Sequence, residues 1–213
     1  MSADKEGIFI FGASGHAKVI IDTIEIQRKY YIEFLVDDDT ELKGKNFFGY
    51  PVLGGKEDLL SHGISPEKTI VAIGDNKARF AVADWLEKHN FDLATAVHPS
   101  AQLGREVVLG IGTVVMALAV INSSTTLGKN VIVNTGAKID HDCFIADGVH
   151  IAPGTTLCGS VRVGKGSFIG AGSTIIQNIT IGEHVIIGAG STVIKDIPDR
   201  CKVVGSRIIT GND

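Results

Sequence analysis

The chain has 213 residues, 44% of them hydrophobic and 21% charged, with a formal charge of −4 and a pI near 6.0. This is the balance of a globular chain without a net basic field, which argues against a nucleic-acid partner. No apolar run approaches the roughly 18 residues of a membrane span and no secretory apolar region opens the chain, so no membrane partner and a cytoplasmic location are expected.

Residues 8–12, Ile-Phe-Ile-Phe-Gly, read as a buried strand whose last glycine opens the turn Gly12-Ala-Ser-Gly-His16. Ala17, Ile20, Ile21 and Ile24 have helical spacing behind that turn, with Ser14 as the expected cap. A second strand, Tyr31 to Val36, runs into Asp37-Asp38-Asp39, completing a βαβ unit. The turn sets the backbone N–H groups of Ser14, Gly15 and His16 at a helix N-terminus, where phosphate is favoured, and Asp37 and Asp38 stand where ribose or base contacts arise. The third glycine of GxGxxG is absent, so the pattern fits a phosphate turn and a plain turn about equally, and a redox dinucleotide less well. A loop over 40–55, a helix near Lys56–His62, a strand Thr69–Gly74 and a helix from Asn76 to His89 capped by Asp75 complete the expected first domain. It is an α/β domain, a small open parallel sheet over residues 1–93, joined without a flexible linker to the remainder of the chain.

From Val97 to Val193 an aliphatic residue recurs at every sixth position without a miss, seventeen in all. Four residues after each stands a small or β-branched one, such as Thr113, Thr125, Cys143, Ser167 or Ser173. A period of six fits neither the 3.6 of a helix nor the 2 of an ordinary strand, and it predicts a parallel β-helix over 94–213. Three hexapeptides close one triangular coil, and aliphatic residues stack on the coil below to make a core no single repeat can bury. Positions 18 apart then share a corner. His141, two residues after inward-facing Ile139, lies at an outward corner, with Gly159, Gln177 and Lys195 above it. Pro153, Ala171 and Ala189 stack on a second corner, and Asn122 and Asn134 face outward near His141. His62, His89, His98 and His184 have no metal-ligand spacing and read as surface or packing residues. The three cysteines, Cys143, Cys158 and Cys201, form no CxxC pair and read as reduced packing residues.

Gly12-Ala-Ser-Gly-His16, the Asp37-Asp38 pair, Ile73-Gly-Asp-Asn76, Val97-His-Pro-Ser100, the hexapeptide array and Asp140-His-Asp-Cys143 together resemble the two-domain hexapeptide sugar acyltransferases of bacterial surface-polysaccharide (lipopolysaccharide) synthesis. The resemblance implies a left-handed β-helix and acetyl transfer from acetyl-CoA to a nucleotide-linked 4-amino-4,6-dideoxy sugar, without a metal. GDP-perosamine is the first acceptor it implies, with a UDP-linked 4-amino sugar or sialic acid as alternatives. His141 matches the catalytic base and Asp142 the acid that orients it. Gly159 and His150 match coenzyme-contacting positions of the family. From their places in the fold, Ser14, Gly15, His16, Asp37, Asp38 and Gly74 are the expected nucleotide-sugar contacts, Asn122 and Asn134 candidate contacts of the amino sugar, and Ala171 and Ala189 small residues that would admit the coenzyme. The Gly-x-Pro-Ala tail common in relatives is replaced by Val204-Gly-Ser-Arg-Ile-Ile209.

Two rival functions remain at this level. A γ-type carbonic anhydrase needs three histidines around zinc, and only His141 and His150 are candidates. A non-catalytic nucleotide-sugar scaffold would use the coils for assembly alone. His141 and His150 are nine residues apart, half a coil, so they should not share a pocket within one chain. A homotrimer with active sites between subunits reconciles them, with His150 pointing outward towards a neighbour's His141.

Overall fold

Residues 5–63 and 68–209 are described by a computed structural model, in which the chain divides into two units, Met1–Pro99 and Ser100–Asp213. In the first, β1 (Glu6–Phe11), α1 (Gly15–Gln27), β2 (Tyr30–Val36), β3 (Asn46–Phe47), β4 (Tyr50–Pro51), α2 (Lys56–Ser61), β5 (Lys68–Val71), α3 (Asn76–Lys88) and β6 (Asp92–Leu93) occur in order. The sheet runs β2-β1-β5-β6, all parallel. Its core is aromatic, with Phe9 stacked on Phe34 at 5.5 Å and meeting Phe91 edge-on.

Four local outcomes depart from the sequence reading. Ser14 occupies the cap position of α1, but its side chain makes no cap bond. β5 stops at Val71, because the buried Arg79 guanidinium binds the carbonyls of Ile73 and Gly74 that a longer strand would have used. The loop after Asp39 contains a short 3-10 turn and a hairpin of β3 and β4, closed by Asn46 Oδ1 accepting from Gly49 N–H. The first unit also extends past residue 93, because β6 pairs with β5 and Ala94 N–H donates to Thr69 O.

The second unit is a left-handed parallel β-helix. Its two-residue strands pair with those one coil away in an 18-residue register, as Val114 with Ile132 and Lys138 with Thr156. The faces are typified by Ile132–Val133, Lys138–Ile139 and Phe144–Ile145. From Val115 to Val193 every sixth-position aliphatic is at most 2% exposed, whereas Leu103 is 43% exposed because its coil is stacked on one side only. The small residues four positions on have a task beyond size. Thr113 donates to Gly128 O, Thr125 to Asp140 O and Ser167 to Gly182 O, and the three also accept an N–H, from Val131, Cys143 and Val185 respectively. Each such bond contributes about 1 kcal/mol and leaves no corner hydroxyl among these three orphaned.

Corners also repeat every six residues, with positive φ at Ser124, Asn130, Gly136, Asp142, Gly148 and onward. Glycine, asparagine and aspartate accept that conformation most readily. The described chain ends in an antiparallel hairpin, Lys202–Val204 with Arg207–Ile209. No described helix is long and apolar enough to cross a membrane.

Candidate active site

The corner after Lys138–Ile139 is where the second unit gathers its chemistry. Asp142 takes φ 59 there, which turns its carboxylate back onto the preceding ring, and His141 Nδ1 lies 2.7 Å from Asp142 Oδ2. A carboxylate can only accept, so Nδ1 carries the hydrogen and the lone pair of Nε2 is left for a substrate proton. Both side chains are 59% exposed. The Asp142 hydrogen bond first, and the charge of Asp140 next, raise the imidazole pKa above 6.5. The backbone is held on both sides: Asp142 N–H donates to Ser123 O of the coil before, and Ser160 N–H of the coil after donates to His141 O.

Gly159 lies buried against the ring, as the 18-residue column requires. A Cβ at Gly159 would sit 2.6 Å from His141 Cε1 and 2.7 Å from Nε2, so only glycine leaves the ring where it is. Beside this corner, Asn122, Asp140, Cys158, Lys138, Val120 and Thr156 line a groove of about 260 Å³. Cys143 is a poor nucleophile: burial pushes its thiol up to about 11, and Sγ donates to Cys158 O at 3.3 Å, in the place a threonine hydroxyl takes elsewhere.

Asn134 and His150 both stand away from His141, Asn134 against expectation and His150 in line with the half-coil spacing. Asn134 comes after the Ile132–Val133 face, a different corner of the section, where Nδ2 meets His150 Nε2 at 3.2 Å and Oδ1 accepts from Thr135 N–H. His150, outward by its place in the period, is on the outer side of its strand but only 7% exposed, with its ring edge-on to Phe168 at 5.1 Å. A neighbouring aromatic and Asn134 thus cover a ring that the period alone leaves open. Ala171 and Ala189 do share the corner of Pro153, with Gly172 N–H donating to Pro153 O and Gly190 N–H to Ala171 O, and both are exposed.

In the first unit, the sheet order reverses direction at β1 and β5, and the crevice outside their carboxyl ends is where open α/β sheets bind ligands. Gly12-Ala-Ser-Gly-His16 and Ile73-Gly-Asp-Asn76 border it, with Gly74 facing His16 at 4.0 Å from an added Cβ. Gly12 has φ +117, and a Cβ there would strike Ala72 O at 2.8 Å; Gly15 has open space around it. Burial, reinforced by Arg79, pushes His16 down to about 4, so it is neutral at physiological pH. Asp37 is committed within the protein, accepting from Ala13 N–H at 2.7 Å and Asp39 N–H at 2.9 Å. Asp38 instead pairs with Lys56 at 2.5 Å on the rim of a cleft of about 350 Å³, while the Lys56 ammonium lies 5.4 Å from the Phe11 ring centroid. Neither Lys56 nor Arg79 stands out in the sequence, although Lys56 opens a helix directly after Gly54-Gly55. His62 packs on Phe34 and His89 on Trp85. Among the described residues no group of three His, Cys, Asp or Glu is placed to hold a metal ion.

The geometry of this corner sets its pH dependence. Were His141 to serve as a base it would have to be neutral, and the acidic limb of kcat/KM would then lie above 6.5. Asp142→Asn removes the largest cause of the shift and should move that limb to lower pH, towards 6.5. A limb that stays in place would separate Asp142 from the titrating group.

Residues 7–86 match the family model described as the PglD N-terminal domain, and residues 142–177 and 160–195 match that of the bacterial transferase hexapeptide (six repeats). UDP-N-acetylbacillosamine N-acetyltransferase of Bacillus subtilis (strain 168) is 37% identical over 114 residues, which are 53% of this chain and 52%, about half, of that relative. Perosamine N-acetyltransferase from Caulobacter crescentus, solved with CoA and GDP-perosamine as a variant in which one histidine is replaced by asparagine, is 36% identical with a TM-score of 0.90. That match covers 99% of this chain and 100% of the other. The acetyltransferase domain of PglB from Neisseria gonorrhoeae is also 36% identical, with a TM-score of 0.85 over 93% of this chain and 96% of that one. Identity at this level over both units, with the hexapeptide coils and the sheet in the same order, shows that the chain belongs to the two-domain hexapeptide-repeat sugar acyltransferases.

Proposed function

We propose that this protein transfers the acetyl group of acetyl-CoA to the 4-amino group of a nucleotide-linked 4-amino-4,6-dideoxy sugar, with GDP-perosamine as the first candidate acceptor. The observation that carries the reading is the His141–Asp142 pair, with Nδ1 engaged, Nε2 open and Gly159 leaving the ring uncrowded. The full-length relative from Caulobacter holds CoA and GDP-perosamine, which supports this pair of substrates. In the reaction the sugar amine attacks the thioester carbonyl, a C–N bond forms, and His141 Nε2 takes the proton the nitrogen loses. The C–S bond then breaks and the leaving sulfur takes up a proton from the imidazolium, which returns His141 to its starting state.

In this reading Ser14, Gly15 and His16 offer their N–H groups to the diphosphate. Gly74 leaves room beside them, a neutral His16 adds no competing charge, and Asp38 with Lys56 meets the nucleoside. Gly15→Val should raise KM for the sugar nucleotide at least about tenfold, as the loss of one close backbone approach would. KM for acetyl-CoA should hardly move, and since nothing lies within 4 Å of the new Cβ the fold should persist. A change in the coenzyme constant instead would reverse the assigned roles of the units.

The exposed Ala171/Ala189 corner would admit the pantetheine arm, with the His150–Asn134 pair at its foot and Gly159 at the His141 end. These corners flank different faces of one coil, and a homotrimer would bring one chain's alanine corner to its neighbour's His141. A fully active monomer in sedimentation would contradict that assembly. Steady-state rates of thiol release with GDP-linked and UDP-linked 4-amino sugars and with sialic acid test the substrate class. Equal indifference to all three would remove it.

A further inference from the structure

His141 is fastened by more than Asp142. Asp140 Oδ1 accepts the backbone N–H of His141 at 2.9 Å and, at 2.8 Å, the side-chain Nδ2 of Asn122 from the coil before. One carboxylate oxygen therefore joins two coils and the residue that carries the base. Asn122 is exposed and lines the groove beside the corner, which is why its sequence position suggests a sugar contact. Its amide already has a carboxylate partner.

We propose that Asn122 is a positioning residue: its amide clamps the Asp140 carboxylate so that Asp140 in turn fixes the His141 backbone and holds the ring over Gly159. This rests on the reading of His141 as the base. The bond lengths are those of ordinary strong hydrogen bonds, and the bond between charged Asp140 and the amide belongs to the charge-assisted class. Asn122 first, and the His141 N–H next, also lower the Asp140 pKa, so the carboxylate stays ionised wherever the enzyme works. The clamp has a second consequence, since a carboxylate held next to the imidazole adds to its proton affinity. The groups that face the ring are few. Asp140 and Asp142 come from its own coil and Gly159 from the coil after; Asn122 of the coil before reaches Asp140, Ser123 and Ser160 hold the backbone on either side, and Cys158 and Lys138 line the adjoining groove. Only the two aspartates pull the imidazole upward by charge.

A sugar contact and a clamp predict different kinetics. Asn122→Ala in the full chain should lower kcat about tenfold, within the range for a base moved by a fraction of an ångström, with KM for both substrates nearly unchanged. The His141 amide proton, freed from Asp140, should exchange faster by a similar factor. Asp140→Asn keeps the shape but removes the charge, and should lower the His141 pKa measured by NMR of the ring Cε1–H, with the acidic limb of kcat/KM moving with it. A tenfold rise in KM for the sugar nucleotide at unchanged kcat in Asn122→Ala would overturn the proposal. So would an unchanged His141 amide exchange and ring pKa in the two variants. If the NMR values shift as expected while the kinetic limb stays put, the clamp stands and His141 is not the base.

Discussion

Replacement of His141 by alanine or asparagine is expected to lower kcat by roughly 10²–10⁴-fold, the usual range for losing a general acid–base group. KM for acetyl-CoA and for the sugar nucleotide should stay within a few-fold, because the ring is an exposed corner group and no other described side chain but Asp142 leans on it by a side-chain bond. The asparagine variant retains a polar side chain of similar reach, yet an amide cannot take a proton at neutral pH, so it should be as impaired as alanine. Activity within a few-fold of the starting protein in either variant would remove the base from this corner. The three-histidine zinc chemistry that the sequence also allowed finds no support in the way His141 and His150 are placed, one on an exposed corner and the other packed under Phe168 and paired with Asn134.

Gly159→Ala should be nearly as harmful, although it removes nothing. The added methyl would lie 2.6 Å from the imidazole Cε1, well inside van der Waals contact, and the exposed ring is the part free to move. Swinging it out breaks the Asp142 bond and displaces Nε2, which costs on the order of 10²-fold in kcat for a shift near 1 Å. The lost Asp142 partner should also bring the acidic limb of kcat/KM down towards 6.5. Thermal unfolding should hardly change, since Gly159 has no positive φ to strain. An active Gly159→Ala enzyme with its pH limb in place would show that the ring does not work from this position. A rise in KM for acetyl-CoA alongside the loss in kcat would add a coenzyme contact at Gly159 to its role as a spacer.

The β-helix is legible in outline because its core obeys a single rule: a residue that points into the shaft every sixth position must be apolar, and seventeen of them are. The same column counting places Gly159 over His141 and Ala189 over Ala171, and the backbone bonds of the coils fall where it puts them. What the count does not convey is what covers the outward positions. His150 and Asn134 are both outward by number, but the side chain of one is the partner of the other, and Phe168 one coil on closes the pocket. Asn122 and Asp140 are readable as an 18-residue pair, yet an exposed asparagine beside the His141 corner invites a substrate role instead. In the first unit, the βαβ order is evident from the alternation of apolar runs, the glycine turn and the acidic stretch. The end of β5 is not, since it is set by a buried arginine six residues beyond Ile73, and Arg79 looks like one more helix surface charge. Asp37 likewise closes its own turn through Ala13 N–H, a bond across 24 residues that no local pattern announces.

Nitrogen-directed acetyl transfer is tested by tracking the acetyl group itself. The full-length protein would be incubated with acetyl-CoA labelled in the acetyl carbons and a nucleotide-linked 4-amino-4,6-dideoxy sugar, and the acceptor analysed by mass spectrometry and NMR. Label is expected in an amide on the sugar nitrogen, with free thiol released in equal amount and no transfer to the matching 4-hydroxy sugar. Label in an ester on oxygen, or thiol release with no label on the acceptor, would contradict nitrogen-directed transfer.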